Sequence, residues 1–162
     1  MYTPNINLYD LYLEQAKLLH QNPSKWRGTT LTHYIEDINA LIKDKHLKTI
    51  LDYGCGKAKF HPKEWNADKY DPAVPEYSKK PTGRYDLVIC TDVLEHIPQN
   101  HLDEVIEDIF NYSDQWVFVS VCCRKAKEIL PNGYNAHATI ESTKWWKDKF
   151  SKYTDYTLKF TQ

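Results

Sequence analysis

At 162 residues the chain is long enough for one domain that buries roughly two-thirds of its unfolded surface, so no disulfide or metal staple is needed. A formal net charge of −1 excludes an overall electrostatic pull toward nucleic acid or anionic membrane, and nucleic acid is not the expected partner. No apolar run approaches the ~20 residues that cross a bilayer, and Met1-Tyr2-Thr3-Pro4-Asn5 lacks the basic and apolar regions of a leader, so a cytoplasmic location is expected.

In chain order, Tyr9, Tyr12, Leu13, Ala16 and Leu19 recur at helical spacing and predict an amphipathic helix over Leu8 to Leu19, ended by Asn22-Pro23. After the loop Ser24 to Gly28, Leu31, Tyr34, Ile35, Ile38, Leu41 and Ile42 mark one face of a second helix that should pack on a sheet. Thr49-Ile50-Leu51-Asp52 is a short apolar strand ending in an acid, and Tyr53-Gly54-Cys55-Gly56 follows it as a turn. An acid at a strand end followed by Gly-x-Gly is how a doubly wound sheet brings backbone close to a nucleotide-like ligand. Pro62 interrupts whatever follows, so the first crossover helix should be short. A second acid stands in Tyr70-Asp71-Pro72. Between Asp71 and the next strand, Tyr85 to Cys90, only a proline-, lysine- and glycine-containing link remains.

The strand from Tyr85 leads into Thr91-Asp92-Val93-Leu94-Glu95-His96-Ile97-Pro98. Asn100 is placed to cap a helix carrying Leu102, Val105, Ile106, Ile109 and Phe110. Trp116 to Val121 suits a strand covered on both faces. Arg124 to Leu130 reads as a short helix closed by Pro131-Asn132-Gly133, Ser142 caps a helix with Trp145, Trp146 and Phe150, and Tyr156 to Phe160 reads as the last strand. The whole reads as one domain, 1–162, with 1–46 a helical lid or packing segment and 47–162 the sheet core.

Taken together, Thr49 to Gly56, Tyr70 to Pro72 and Tyr85 to Pro98 resemble class I S-adenosylmethionine (SAM)-dependent methyltransferases. The resemblance implies an α/β Rossmann-like fold with a mostly parallel sheet of about five strands, one helix and one strand of the full fold being missing. It implies that SAM is bound, leaving S-adenosylhomocysteine (SAH), by the turn Asp52, Tyr53, Gly54, Cys55 and Gly56. Asp71, with Pro72 beside it, would take the ribose hydroxyls, and Asp92, Val93 and Leu94 would line the sulfur. The acid that often contacts adenine after the lost strand would be gone with it. Residues before the first strand form a lid in many members, so Tyr9, Tyr12, Trp26 and Arg27 become candidate acceptor contacts.

Glu95-His96 matches the Leu-Glu-His signature of many small-molecule members, and His96 or His137 is a candidate general base, because imidazole titrates near working pH. Glu95 is the third candidate, with orientation of a backbone amide as its simpler role. Thr91-Asp92-Val93-Leu94 replaces the Asp/Asn-Pro-Pro-Tyr/Phe motif of amino-methylating DNA enzymes, which leaves small molecules and protein side chains as acceptors. A nicotinamide-dinucleotide enzyme is disfavoured, because Ala58 and Lys59 supply no third glycine. The other reading is a non-catalytic SAM- or partner-binding module, in which the trimmed sheet exposes apolar surface for a partner subunit or a second copy.

Cys55, Cys90, Cys122 and Cys123 fall in or just after apolar strands, which predicts reduced thiols packed as small hydrophobes. With His137 they could converge on zinc. However, there is no Cys-x-x-Cys pair, and strand alternation turns Cys122 and Cys123 to opposite faces, so no metal is expected.

Overall fold

The computed structural model describes residues 7–161, so the leader reading on Met1 to Asn5 lies outside the described residues. Five strands, β1 (Ile50–Tyr53), β2 (Asp68–Tyr70), β3 (Tyr85–Thr91), β4 (Ser113–Cys122) and β5 (Tyr156–Thr161), form one sheet in the order β2-β1-β3-β4-β5. Every pair is parallel, a stricter outcome than the mostly parallel sheet expected. The fold is α/β, as the sequence predicts, and the carboxyl ends of β1, β2 and β3 leave Asp52, Asp71 and Asp92 near one edge of the sheet.

Among the described residues four α-helices accompany the sheet: α1 (Leu8–Gln21), α2 (Ile35–Lys45), α3 (Gln99–Asn111) and α4 (Thr143–Phe150). Helix α1 opens on Asn7, whose side chain accepts the Tyr9 amide, and α4 opens on Ser142, which accepts the Trp145 amide. The second predicted helix is divided in two. Leu31 lies in a 3-10 segment, Thr29–His33, and Tyr34, with φ −119°, separates that segment from α2. Asn100 does not cap α3, which starts one residue earlier after the extended Pro98.

Two predicted helices are not formed. After Gly56 the chain makes turns and a single 3-10 turn, Lys63–Trp65, because Ala58 takes a left-handed conformation at φ +48° that no helix accommodates. Arg124 to Leu130 is irregular, closed by an antiparallel bridge between Ile129 and Asn135.

The sheet buries both faces. Tyr53, Val88, Cys90, Val117 and Val119 pack with Leu102, Ile106 and Ile109 of α3 and with Trp146 and Phe150 of α4. Ile50, Leu87, Ile89 and Phe118 pack on the other side with Leu31, Ile38 and Trp65. Trp65 fills the place of the lost crossover helix, and its indole N–H donates to Asn39 at 2.7 Å. The apolar strand surface expected from the trimmed sheet is therefore covered. The exposed large apolar residues, Leu8, Leu18, Ile129, Tyr134 and Ile140, all lie outside the strands. Cys55, Cys90 and Cys122 are buried, Cys123 is half-buried, and all four are free thiols. Among the described residues no helix is long and apolar enough to cross a membrane.

Candidate active site

A cleft of about 530 Å³ opens where the carboxyl ends of the strands meet α1 and the loop after β4, a volume within the ~300–1,000 Å³ usual for small-molecule sites. Its floor is the β1 turn. The amides of Gly54 and Cys55 donate to the Tyr70 carbonyl at 2.7 and 3.2 Å, tying the turn to the end of β2. Gly54 has φ +80°, and a Cβ there would come within 2.3 Å of the Val93 side chain. Gly56 is fixed by its φ of +54° alone, since an added Cβ would meet only ordinary contacts. Backbone conformation at both positions and the packing of Val93 at Gly54 therefore call for glycine in this turn.

The three acids of the floor are held differently. Asp52 is buried, and its Oδ2 pairs with Nε2 of His61 at 2.5 Å, while Oδ1 has no partner. Asp71 accepts the Gly56 amide at 2.8 Å and the Ala73 amide at 2.9 Å, so its carboxylate staples the β1 turn to the chain beyond β2. Burial raises the Asp71 carboxyl above its ordinary range, against the pull of those two amides. Asp92 sits at φ +59° and accepts the Thr30 hydroxyl at 3.0 Å, leaving its buried Oδ1 unpaired.

That orphan oxygen has a counterpart in the Oε2 of fully buried Glu95, whose other oxygen accepts the Cys122 amide at 2.7 Å. Burial, and then the charge of the nearby Asp92 carboxylate, push the Glu95 carboxyl well above its ordinary range. Protonated, Glu95 would offer a donor that the Asp92 carboxylate can accept. Glu95 thus orients backbone, and it does not line the cleft. Ligand atoms of Glu95, Cys122 and His137 also lie within 4.8 Å of one another, a group able to hold a metal ion.

The wall facing α1 and the loop after β4 is aromatic and imidazole-rich. His20, Trp26, His96 and His137 follow one another edge to face at centroid separations of 5.0, 4.9 and 4.8 Å. Nδ1 of His96 lies 2.7 Å from the Ala136 carbonyl, and Nδ1 of His137 bonds to the Arg124 carbonyl. A carbonyl only accepts, so both Nδ1 atoms carry hydrogen and both Nε2 atoms keep a lone pair in the neutral ring. Burial, and then His137, push His96 down to about 4. Burial, and then Lys57, push His20 down to about 4. Both rings are neutral near pH 7.

Most of the residues singled out from the sequence line this cleft: Asp52, Tyr53, Gly54, Cys55, Gly56, Asp71, Pro72, Asp92, Val93, His96 and His137, with Tyr9, Tyr12, Trp26 and Arg27 on the lid side. Tyr53 turns its phenol away to donate to Asp108 at 2.9 Å. Tyr12 donates to the Ala136 carbonyl at 3.1 Å. Arg27 is exposed, with its guanidinium 5.6 Å from the centre of the Phe60 ring. Leu94 does not line the cleft: it is fully buried in the core beside α3, because the short 3-10 turn Leu94–His96 directs it inward. Sequence reasoning missed His20, Thr30 and His61. Thr30 and His61 come to the cleft through irregular segments that carry no motif, and His20 is one polar residue at the end of an otherwise ordinary amphipathic helix.

Residues 18–153 match the family model described as a methyltransferase domain, so the chain belongs to that family and its fold is the class I methyltransferase fold. Methyl transfer is the general activity this membership supports. Neither the search of curated proteins nor that of solved structures returned a match.

Proposed function

We propose that the chain transfers a methyl group from SAM to a small-molecule or protein-side-chain acceptor, with His96 taking the acceptor's proton. The observation that carries this is the meeting, in one cleft, of the Asp52-to-Gly56 turn and Asp71 with a neutral imidazole anchored at Nδ1 and open at Nε2. The residues fit the cofactor: the unpaired, buried Oδ1 of Asp52 suits an ammonium group, and Asp71 retains lone pairs for the ribose hydroxyls. Val93 and Asp92 close the cleft behind the reacting centre. Bound SAM supplies a methyl on a sulfonium whose sulfur leaves as a neutral thioether.

The chain's own contribution is then position and proton management. The Trp26 and His96 rings shape the acceptor side, Tyr12 braces the Ala136 carbonyl to which His96 is also anchored, and Nε2 of His96 receives the proton as the new bond to the methyl forms. Burial keeps that ring neutral until it does so, and His137 packs edge-on against it.

Calorimetric titration with SAH tests the cofactor site. Asp71→Asn preserves shape and one acceptor, and it should weaken SAH binding about ten-fold, or ~1.4 kcal/mol. His96→Gln should remove methyl transfer while leaving SAH affinity within two-fold. If the wild type fails to bind SAH, the reading falls to that of a non-catalytic module.

A further inference from the structure

The cleft is segregated by charge. Three of its acids, Asp52, Asp71 and Asp92, sit at the sheet end with hydrogen-bond partners on each, and the fourth, Glu128, is paired with Lys25 at the opening. Its outer wall is the loop after β4, where Arg124, Lys127 and Glu128 line the opening.

Most of the cations near the cleft are engaged. Lys25 pairs with Glu128 at 2.6 Å. Lys57 donates to the carbonyls of Asn22 and Lys25 at 2.5 and 2.7 Å, and Arg27 lies over Phe60. Arg124 and Lys127 are exposed, and among the described residues neither forms an ion pair.

The loop that carries them is firmly held. The Asn135 side chain accepts the amides of Ala126 and His137, each at 3.0 Å, and donates to the Ala126 carbonyl at 2.9 Å. The Ala136 amide returns to the Glu128 carbonyl at 3.1 Å, and the Leu130 amide to the Tyr134 carbonyl at 2.8 Å. Because the Arg124 carbonyl anchors His137, the guanidinium belongs to the same residue that fixes one imidazole of the acceptor wall.

We propose that the acceptor is a small molecule bearing an oxyanion, a phosphate or a carboxylate, which Arg124 and Lys127 hold at the outer end of the cleft so that its nucleophile meets His96. A guanidinium matches either anion with two parallel N–H donors, and an ammonium lining the same cleft adds a point charge. With a formal net charge of only −1, capture of such an acceptor depends on this local pair and not on the field of the whole molecule. The assignment rests on the methyl-transfer reading above.

The test is a site-resolved amide NMR titration of the full chain with inorganic phosphate and, separately, malonate, at low ionic strength. Saturable shifts should centre on 124–137, and the double variant Arg124→Gln, Lys127→Gln should weaken them at least ten-fold while leaving SAH affinity within two-fold. Phosphate binding without malonate binding would identify a phosphorylated acceptor, the reverse a carboxylate one, and either supports the site. Absence of saturable shifts with both anions, or shifts unchanged in the double variant, overturns it. Competition between the anion and SAH also overturns it, because the cations would then serve the cofactor's own carboxylate. Anion binding by a protein that takes no SAH would remove the methyl-transfer reading and the acceptor assignment with it, whereas SAH binding without anion binding removes the acceptor assignment alone.

Discussion

The two ends of the cleft hold their polar groups in opposite ways. At the sheet end, Asp71 is bound to two backbone amides and the Gly54 and Cys55 amides to one carbonyl, so the floor is set by the chain's own backbone. At the loop end, the backbone carbonyls of Ala136 and Arg124 anchor two imidazoles by one nitrogen each and leave the other nitrogen open. The difference is physical: the floor's polar groups are consumed by backbone, whereas the wall keeps ring lone pairs and two cations unpaired among the described residues.

Gly54→Ala strikes the floor hardest. It would impose φ +80° on a Cβ-bearing residue and drive that Cβ to 2.3 Å from Val93. About 1–2 kcal/mol for the left-handed conformation and about 1–3 kcal/mol for overpacking should combine to roughly 3 kcal/mol. A urea unfolding curve would show the loss, and SAH affinity should fall with it. A fully stable variant would mean that Val93 is free to yield.

Asn135→Ala is the matching change in the wall. It removes three hydrogen bonds, leaving Ala126 and His137 backbone groups without them, at a cost of about 1–3 kcal/mol. Methyl transfer should drop while SAH affinity stays within two-fold. Equal loss of both would show that the two ends are one cooperative unit.

Glu95→Gln probes the buried carboxyl that lies between them. The wild-type carboxyl is raised well above 4.5, so between that value and its folded-state pKa it stays protonated while the unfolded chain ionises. Wild-type stability should therefore fall relative to the variant by about 1.4 kcal/mol per pH unit above that value. Parallel stability profiles between pH 5 and 7 would rule out the protonated acid. The smallest effect is expected at Ala58, where φ +48° suits glycine better. Ala58→Gly should stabilise by a few tenths of a kcal/mol, strain relief being largely offset by the entropy of glycine in the unfolded chain.

The elements legible in the sequence were those with local signatures. Apolar runs gave the strands, and the acid-turn-glycine pattern gave the floor. What stayed hidden depends on distant partners. Lys125, Ala126, Lys127 and Glu128 have helix-favouring side chains, yet Asn135, nine residues along from Ala126, takes both backbone groups of Ala126 and the helix is lost. Likewise, nothing local marks Trp65 as the plug for a missing helix. It becomes one only because Asn39 of α2 offers its indole an acceptor. His61 illustrates the same limit in the site itself, since its partnership with Asp52 exists only once the chain after Gly56 has turned back.

The short outer strand β2 has a further consequence for solubility. A parallel sheet that stops at a three-residue edge offers an incoming strand only a few backbone pairs. Asp68 and Lys69 also place charge along that edge, which discourages growth by strand addition. The six-residue β5 at the opposite edge has no such brevity. Any tendency of this protein to aggregate through its sheet, in the folded or partly unfolded state, should therefore begin at Tyr156–Thr161 and propagate in one direction.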